Sequence, residues 1–316
     1  MPTHRPTEEQ FLGALLGLAI GDALGMPVAG MSAAEIESRH GRIEEYLPLH
    51  LEDGSEVAAG EITDETETAL CIVESLTTND GLIDPANIGA RLGFLASTDS
   101  RRWLSPDTLR GIELAAEHDG LVPPTASDAV DVTVLPRGVP TGLMHTIGVL
   151  DAETIRQDAA LLARLSHGGH RQTELAAAVA LATRLALLER DAPGGWTARI
   201  ITFTRDSALK TAFAATTSPV PPTSDHAADL IAAAVAAAAS AVHFEDAVFS
   251  MVARGGATDT SAALAGALAG GRFGASGIPQ TLIDGLGARI YISLAAPWLY
   301  RTLRRRAGTV IDLRPL

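Results

Sequence analysis

A face of small residues near the amino terminus constrains the fold more than any other feature of the sequence. Thr7 and Gln10 form a capping-box pattern and an apolar run follows, so we predict a helix over residues 8–25. Within it, glycine recurs at every fourth position, at Gly13, Gly17, Gly21 and Gly25. Residues spaced by four share one face of a helix, and a face without side chains lets a second backbone approach closely. The sequence therefore predicts a central helix packed at short range against another.

Ala and Leu continue with a helical period through most of the chain. Hydrophobic residues make up 47% of the sequence and aromatic residues only 4%, a composition suited to closely packed helices. Residues 131–135 are the one plausible short strand, and turn residues predict surface loops over 119–128, 191–196 and 216–225. We expect an all-α fold, a single compact multi-helix domain over residues 1–316. Further helices are predicted over 65–76, 86–96, 106–118, 152–166, 173–189, 198–215, 227–242, 244–253, 260–269 and 279–306, the last with a break near 285–287.

The charge balance argues against one class of partner. A formal charge of −14 does not suit a protein that holds nucleic acid as a broad polyanion, because such binding needs clustered Lys and Arg. The chain has one dense basic run, predicted to be a solvated helix face, formed by Arg301, Arg304, Arg305 and Arg306.

Cysteine content and hydropathy bear on the compartment. Cys71 is the only cysteine, so neither an internal disulfide nor a cysteine-based metal cluster can form, and a reducing cytoplasm is expected. Residues 1–10 are polar and do not resemble a secretory signal. The apolar stretch over 230–242 is shorter than the roughly 20 residues that a spanning helix needs. We expect no membrane partner and leave the oligomeric state open.

Two short segments combine hydroxyls with carboxylates at the start of a predicted helix. The first is Thr63-Asp64-Glu65-Thr66, and the second is Gly255-Gly256-Ala257-Thr258-Asp259-Thr260, which begins with two glycines. Oxygen ligands of this kind suit Mg²⁺ or Mn²⁺. Helix capping is the competing interpretation, because Asp64 is a good N-cap residue and Glu67 stands three positions later. Two such clusters favour ligands brought together from distant parts of the chain, but spacing alone leaves both interpretations open.

The chain resembles the ADP-ribosylglycohydrolase family over nearly its whole length. Residues 11–27, including Gly21-Asp22-Ala23-Leu24-Gly25, resemble the family's first helix, and residues 63–66 resemble its Thr-Asp-Asp-Thr motif. Arg137, Pro140 and Gly142 resemble an Arg-x-x-Pro-x-Gly segment, and Leu165-Ser166-His167 resembles Leu-Thr-His. The most specific match runs from residue 244 through Gly255-Gly256-Ala257-Thr258-Asp259-Thr260 to residue 279.

This resemblance implies an all-α fold with a Mg²⁺ or Mn²⁺ centre of one or two ions, which hydrolyses the bond between ADP-ribose and an acceptor. It implies a small-molecule or ADP-ribosylated substrate. Asp64 and Glu65 would be catalytic, and Asp22, Arg137 and His167 would contact substrate. The implied metal ligands are Thr63, Asp64, Glu65, Asp259 and Thr260, with Glu65 in place of the family's second Asp.

Three departures from the family pattern fall in the implied site. Ala257 stands where the family has Asp, and Ala29 stands where it has Glu, so two carboxylates are absent and one of two metals is expected to be weakened. Residues 131–136 replace a glycine-rich stretch that approaches the diphosphate; Asp131 adds charge and Pro136 has no N–H. Three alternatives stay open: an active ADP-ribosyl hydrolase, a catalytically silent binding protein, and an enzyme for a substrate without a diphosphate.

Overall fold

Helices dominate the computed structural model, which describes residues 5–51, 53–126, 129–147, 151–215 and 227–308. A two-stranded antiparallel pair, β1 (Leu49–His50) and β2 (Glu56–Val57), is the sheet found within these ranges. The all-α prediction is confirmed. The α-helices, in chain order, are α1 (Glu8–Gly25), α2 (Ala33–His40), α3 (Asp64–Thr78), α4 (Pro85–Leu95), α5 (Pro106–Ala116), α6 (Gly138–Met144), α7 (Ala152–Ala163), α8 (His170–Leu188), α9 (Trp196–Phe203), α10 (Ser207–Ala215), α11 (Ala227–Ser240), α12 (Phe244–Val252), α13 (Thr258–Phe273), α14 (Gln280–Gly285) and α15 (Arg289–Arg306).

Most predicted helices agree with these bounds, and the differences have local causes. The helix predicted over 198–215 is two helices, because Asp206 accepts a hydrogen bond from the Leu209 N–H and so caps a new start. Helix α2 was missed, although Ser32 and Glu35 form a complete capping box. Helix α6 was also missed. The loop predicted over 216–225 lies outside the described residues.

The strand predicted over 131–135 is wrong. Val132–Arg137 forms a 3-10 helix that leads directly into α6. The Asp131 side chain accepts a hydrogen bond from the Thr133 N–H and thereby caps it. This local capping overrides the β-propensity of the valines, which depends on a neighbouring strand that this region does not provide.

The predicted close approach of α1 to another helix is present, and its partner is α13. A Cβ placed on Gly17 would lie 2.0 Å from the Gly266 carbonyl oxygen, and one on Gly21 would lie 2.0 Å from that of Ala262. Towards the other end, Gly13 meets the Gly270 carbonyl. The pairing runs in opposite directions along the two helices, so they are antiparallel and in backbone contact.

This contact has a consequence at the carboxyl end of α1. Gly25 lies against the Thr258 backbone, and the Thr258 hydroxyl donates to the Gly25 carbonyl at 2.7 Å. The first turn of α13 is therefore fixed beside the last turn of α1, where Asp22 lies. The glycine face thus positions one functional segment against another.

Helix α1 is buried on all sides. By length and composition, Glu8–Val28 is apolar enough to cross a membrane, but 94% of its most apolar window is buried inside the protein. Its place at the centre of the core accounts for that hydropathy. The apolar stretch singled out from the sequence forms the 14-residue helix α11, which packs against α13.

The basic run lies at the end of α15. Arg301 pairs with Glu8 at 3.1 Å, and Arg305 pairs with Asp80 at 2.8 Å. Arg304 bonds the Tyr300 hydroxyl and Arg306 bonds the Gly81 carbonyl. Arg301, Arg305 and Arg306 are exposed and Arg304 is half-buried, so most of the run agrees with the predicted solvated helix face.

Candidate active site

Asp22 is a fully buried carboxyl group near the end of α1. Its Oδ2 accepts hydrogen bonds from the Thr63 N–H at 2.9 Å and the Thr66 hydroxyl at 2.6 Å. Its Oδ1 lies 2.7 Å from the Thr63 hydroxyl. The substrate-binding role predicted for Asp22 is untested, and in this structure the carboxyl group ties α1 to the start of α3.

The start of α3 is not an ordinary capping box. Thr63 is the N-cap residue, but its side chain makes no capping hydrogen bond. Its hydroxyl instead lies between Asp22 and Glu65, 2.5 Å from Glu65 Oε2. Glu67 accepts from the Ser100 hydroxyl and takes no part in a cap. The capping interpretation of this cluster therefore fails.

The two predicted clusters meet through Glu65. The Thr260 hydroxyl of α13 donates to Glu65 Oε1 at 2.7 Å, across 195 positions of sequence. Asp259 is half-buried and near enough to raise the pKa of both Asp22 and Asp64. The tertiary structure thus brings together Asp22, Thr63, Asp64, Glu65, Asp259 and Thr260, which we call the carboxylate cluster.

The Thr63 hydroxyl has two carboxyl neighbours but only one proton to donate. A hydroxyl has one proton, so Thr63 can donate to Asp22 or to Glu65 but not to both. The second contact is a hydrogen bond only when one of these carboxyl groups is itself protonated. Burial raises the pKa of Asp22 to about 7, against hydrogen bonds from Thr66 and Thr63 that lower it, and burial with the charge of Asp22 raises the pKa of Glu65 to about 7. A proton shared near neutral pH follows from both observations.

Asp64 belongs to the same electrostatic unit. Burial and the neighbouring charge of Glu65 raise its pKa well above its ordinary value. Asp64 interacts with the buried cation Arg137, whose own pKa is lowered by burial and raised in part by Asp131 and Asp64. Buried acids of this kind cluster at sites that transfer protons or bind cations.

The donor set fits a hard cation in kind. Carboxylate and hydroxyl oxygens are the ligands that Mg²⁺ and Mn²⁺ prefer. A bound divalent cation would balance the negative charge of the ionised carboxylates and would replace the protons that burial otherwise retains on them. Within the described ranges, however, no three His, Cys, Asp or Glu side chains are arranged to hold one metal ion. Both oxygens of Glu65 are bonded to threonine hydroxyls. The metal ligation predicted for this cluster stays a prediction.

Arg137 and His167 are joined by Ser166, and Arg137 also interacts with the charge of Asp64. The Arg137 guanidinium, 1% exposed, donates to Ser166 Oγ at 2.7 Å, and Ser166 Oγ lies 2.9 Å from His167 Nδ1. Burial, reinforced by Arg137, lowers the pKa of His167 to about 4, so the imidazole is neutral at pH 7. Arg137 Nε and His167 Nε2 have no hydrogen-bond partner among the described residues. Direct substrate contact by either residue is untested.

Asp131 takes part in this second network. Its carboxylate accepts from the Ser105 hydroxyl at 2.5 Å and lies 3.6 Å from His167 Nε2. Gln172 binds both the N–H and the carbonyl of Asp131. The added negative charge noted in the sequence is thus held in place by neighbouring polar groups and is turned towards His167.

The two positions that lack a carboxylate lie on paired segments. The Gly30 N–H donates to the Gly256 carbonyl, and the Gly256 N–H donates to the Met31 carbonyl, each at 2.8 Å. Ala29 and Ala257 directly adjoin these residues. Ala29 and Ala257 therefore lie close together, on segments that flank the start of α13.

Sequence reasoning passed over two residues that organise the site. Thr66 was quoted as part of a motif, yet its hydroxyl makes one of the shortest hydrogen bonds to Asp22. Ser166 joins Arg137 to His167. A hydroxyl spaced one helical turn from Thr63 was a signal for Thr66; no local pattern indicated the bridging role of Ser166.

Comparison with known proteins agrees with this architecture. The chain is 29% identical over 310 residues to an uncharacterised protein of Archaeoglobus fulgidus, covering 93% of this chain and 96% of the relative. Over 88 residues it is 36% identical to the ADP-ribosyl-[dinitrogen reductase] glycohydrolase of Rhodospirillum rubrum, about a quarter of each chain (27% and 28%). A solved structure described as an ADP-ribosylglycohydrolase-related protein complex superposes with a TM-score of 0.75 and 26% identity, covering 94% of this chain and 98% of that one.

The family model described as ADP-ribosylglycohydrolase matches residues 3–308, almost the whole sequence. This match, the superposition and the meeting of the two threonine–carboxylate segments agree with one another. The chain belongs to the ADP-ribosylglycohydrolase family.

Proposed function

We propose that this protein is a metal-dependent glycohydrolase that cleaves the bond between an ADP-ribosyl, or related ribosyl, group and its acceptor. The hydrogen bond from Thr260 to Glu65 carries the proposal, because it joins the start of α13 to the start of α3 around buried acids. Family membership supplies the reaction class. The local similarity to the Rhodospirillum rubrum glycohydrolase supports the same class.

Glu65 is the proposed acid–base residue. A group with a pKa near the working pH both accepts and releases protons readily. Without a bound cation, burial and the charge of Asp22 raise the pKa of Glu65 to about 7. The hydroxyls of Thr63 and Thr260 hold its two oxygens and fix the orientation of the carboxyl group. Glu65 would take a proton from the water whose oxygen attacks the anomeric carbon of the ribose, and would return that proton to the acceptor as the bond between the ribose and the acceptor breaks. The negative charge of Asp64 would stabilise the positive charge that develops on the ribose ring.

One divalent cation, Mg²⁺ or Mn²⁺, is the proposed cofactor. Asp64, Glu65 and Asp259 would hold it, with the hydroxyls of Thr63 and Thr260 completing the set. When bound, the cation would orient the ribose hydroxyls and polarise the bond to be cleaved. The absent carboxylates at Ala29 and Ala257 support one ion in preference to two.

Calorimetric titration of ADP-ribose with and without Mg²⁺ tests the proposal. We expect binding that requires Mg²⁺ and is lost in Asp259→Ala. Asp284→Ala is the matched control, because Asp284 is an exposed acid of α14 outside the cluster. Binding should then be followed by release of ADP-ribose from an ADP-ribosylated substrate.

The outcomes separate substrate from cofactor. Absence of binding under every condition would reject ADP-ribose as the ligand. Mg²⁺-independent binding that survives Asp259→Ala would reject the metal assignment while leaving the ligand in place.

A further inference from the structure

An apolar face on α15 is a feature of the described surface that the proposed function does not use. Of the large hydrophobic side chains exposed there, half lie on this one helix. Ile290, Leu294 and Trp298 follow at spacings of four, so they form a single stripe. Their exposed fractions are 68%, 61% and 58%.

The stripe continues onto neighbouring elements. Tyr291, 42% exposed, and Phe94 of α4, 72% exposed, line one cavity of about 640 Å³ between α3, α4 and α15. The Tyr291 hydroxyl bonds Glu74, so its polar end is already satisfied within the chain. These five side chains, which we call the α15 patch, expose roughly 600 Å² of apolar surface. Patches of this size on single proteins often mark interaction sites.

We propose that the α15 patch joins two copies of this chain in a symmetric dimer. A standard interface buries about 800 Å² on each partner, so the patch supplies most of the apolar area required. Its stripe spans about 12 Å of helix, from residue 290 to residue 298. An antiparallel pairing of α15 about a twofold axis near Leu294 brings Ile290 against Trp298 of the partner subunit, and so satisfies both ends at once.

Charge favours a second copy at this face. The chain carries a net charge of −14, and approach of two copies is therefore repulsive over most orientations. Helix α15 contains no Asp or Glu. Its exposed Arg301 and Arg305 are paired with Glu8 and Asp80. The helix carries five arginines in all, so this apolar face adds no negative charge to the contact between two acidic copies.

Association at this face also bears on the cavity. Its wall includes Ile62, adjacent to Thr63, and Glu67, one turn beyond Asp64 on α3. Phe94 and Tyr291 stand at its exposed side. The partner subunit would therefore cover the opening of a cavity that adjoins the carboxylate cluster.

Sedimentation equilibrium of the full chain tests the dimer. We expect the wild type to have twice its chain mass of 32.8 kDa. Leu294→Glu should halve that mass, because it places a charge at the centre of the patch. Val242→Glu is the control: Val242 is 73% exposed and lies outside the patch, so its mass should stay dimeric.

A second variant locates the contact. Leu294→Cys places an exposed thiol at the proposed axis, and oxidation should give a covalent dimer; Ser240→Cys, exposed on α11, should not. A monomeric wild type at every concentration, or a dimer that persists in Leu294→Glu with no Leu294→Cys cross-link, would overturn the proposal. Circular dichroism melting checks that each variant is folded.

Discussion

The contact between α1 and α13 differs along its length. At Gly13 and Gly17 the two backbones touch with no side chain between them. One turn further on, Asp22 keeps a buried carboxyl group beside the first turn of α13. The first part gains dispersion contacts and buries no charge. The second must balance buried acids with hydroxyls and a proton.

The glycine part of the contact stabilises the fold, whereas the buried acids of the candidate site reduce its stability. Close glycine packing leaves no room for a side chain between the two helices. This close contact holds Thr260 against Glu65, although burial of each acid is unfavourable unless it is protonated or compensated. The apolar part supports the polar part.

Gly17→Ala tests the close backbone contact between α1 and α13. A Cβ there would lie 2.0 Å from the Gly266 carbonyl oxygen, so Gly17→Ala must separate two backbones. We expect a loss of about 3 kcal/mol or more in the free energy of unfolding. Urea denaturation measures it.

Gly93→Ala in α4 is the matched substitution, because a Cβ there meets nothing within 4 Å. It should stabilise by roughly 0.4–1 kcal/mol through the unfolded chain. Equal effects of the two substitutions would mean that the α1–α13 contact is not tight.

Glu65→Gln tests the proposed acid–base role of Glu65 in the carboxylate cluster. Glu65→Gln keeps the size of the side chain but removes its ability to accept a proton, so kcat/KM for ADP-ribosyl hydrolysis should fall about 100-fold or more. Glu67→Gln, one half-turn away on α3 and bonded to Ser100, should retain activity within a fewfold. Steady-state kinetics compares them, and similar losses in both would remove Glu65 from its proposed role.

The pH dependence of the free energy of unfolding, measured in metal-free buffer, tests the protonation of Asp22. Asp22 has an ordinary pKa of 3.8 and a folded pKa of about 7, so between these values the folded state holds a proton that the unfolded state has lost. Its contribution to stability is therefore complete below about pH 4 and is lost as pH rises through about 7, by about 4 kcal/mol.

Asp22→Asn should lack this slope, and the difference in unfolding free energy between the two proteins should fall across that window. A difference that is constant with pH would show that Asp22 ionises normally. Guanidinium denaturation at each pH gives the values.

The smallest expected change restores acids to the cluster. Ala257→Asp with Ala29→Glu adds two carboxylates to paired segments, and we expect the Mg²⁺ affinity to rise about tenfold. Isothermal calorimetry measures it. Hydrolysis that appears only in the double variant would indicate a decayed enzyme, whereas unchanged or impaired hydrolysis would indicate a site adapted to another substrate.

Much of the helical structure could be predicted from short-range sequence patterns. The capping box at Thr7 and the glycine spacing defined α1 to the residue, because capping and helical period are short-range properties. The same kind of signal at Ser32 was overlooked. The 131–135 strand failed because β-propensity depends on neighbouring strands, whereas the Asp131 cap acts within two residues.

The sequence by itself determined which residue types the site contains: hydroxyls and acids at two helix starts, with alanine at positions 29 and 257. Only the tertiary structure decided that Thr63 stands between two carboxyl groups, that Thr260 reaches Glu65, and that Ser166 joins Arg137 to His167. Hydrogen bonds between residues up to 195 positions apart depend on the crossing of α1, α3 and α13. The α1–α13 part of that crossing is set by backbone contact at the glycines, and α3 is held to α1 by the hydrogen bonds of Asp22, which no local pattern of acids and hydroxyls encodes.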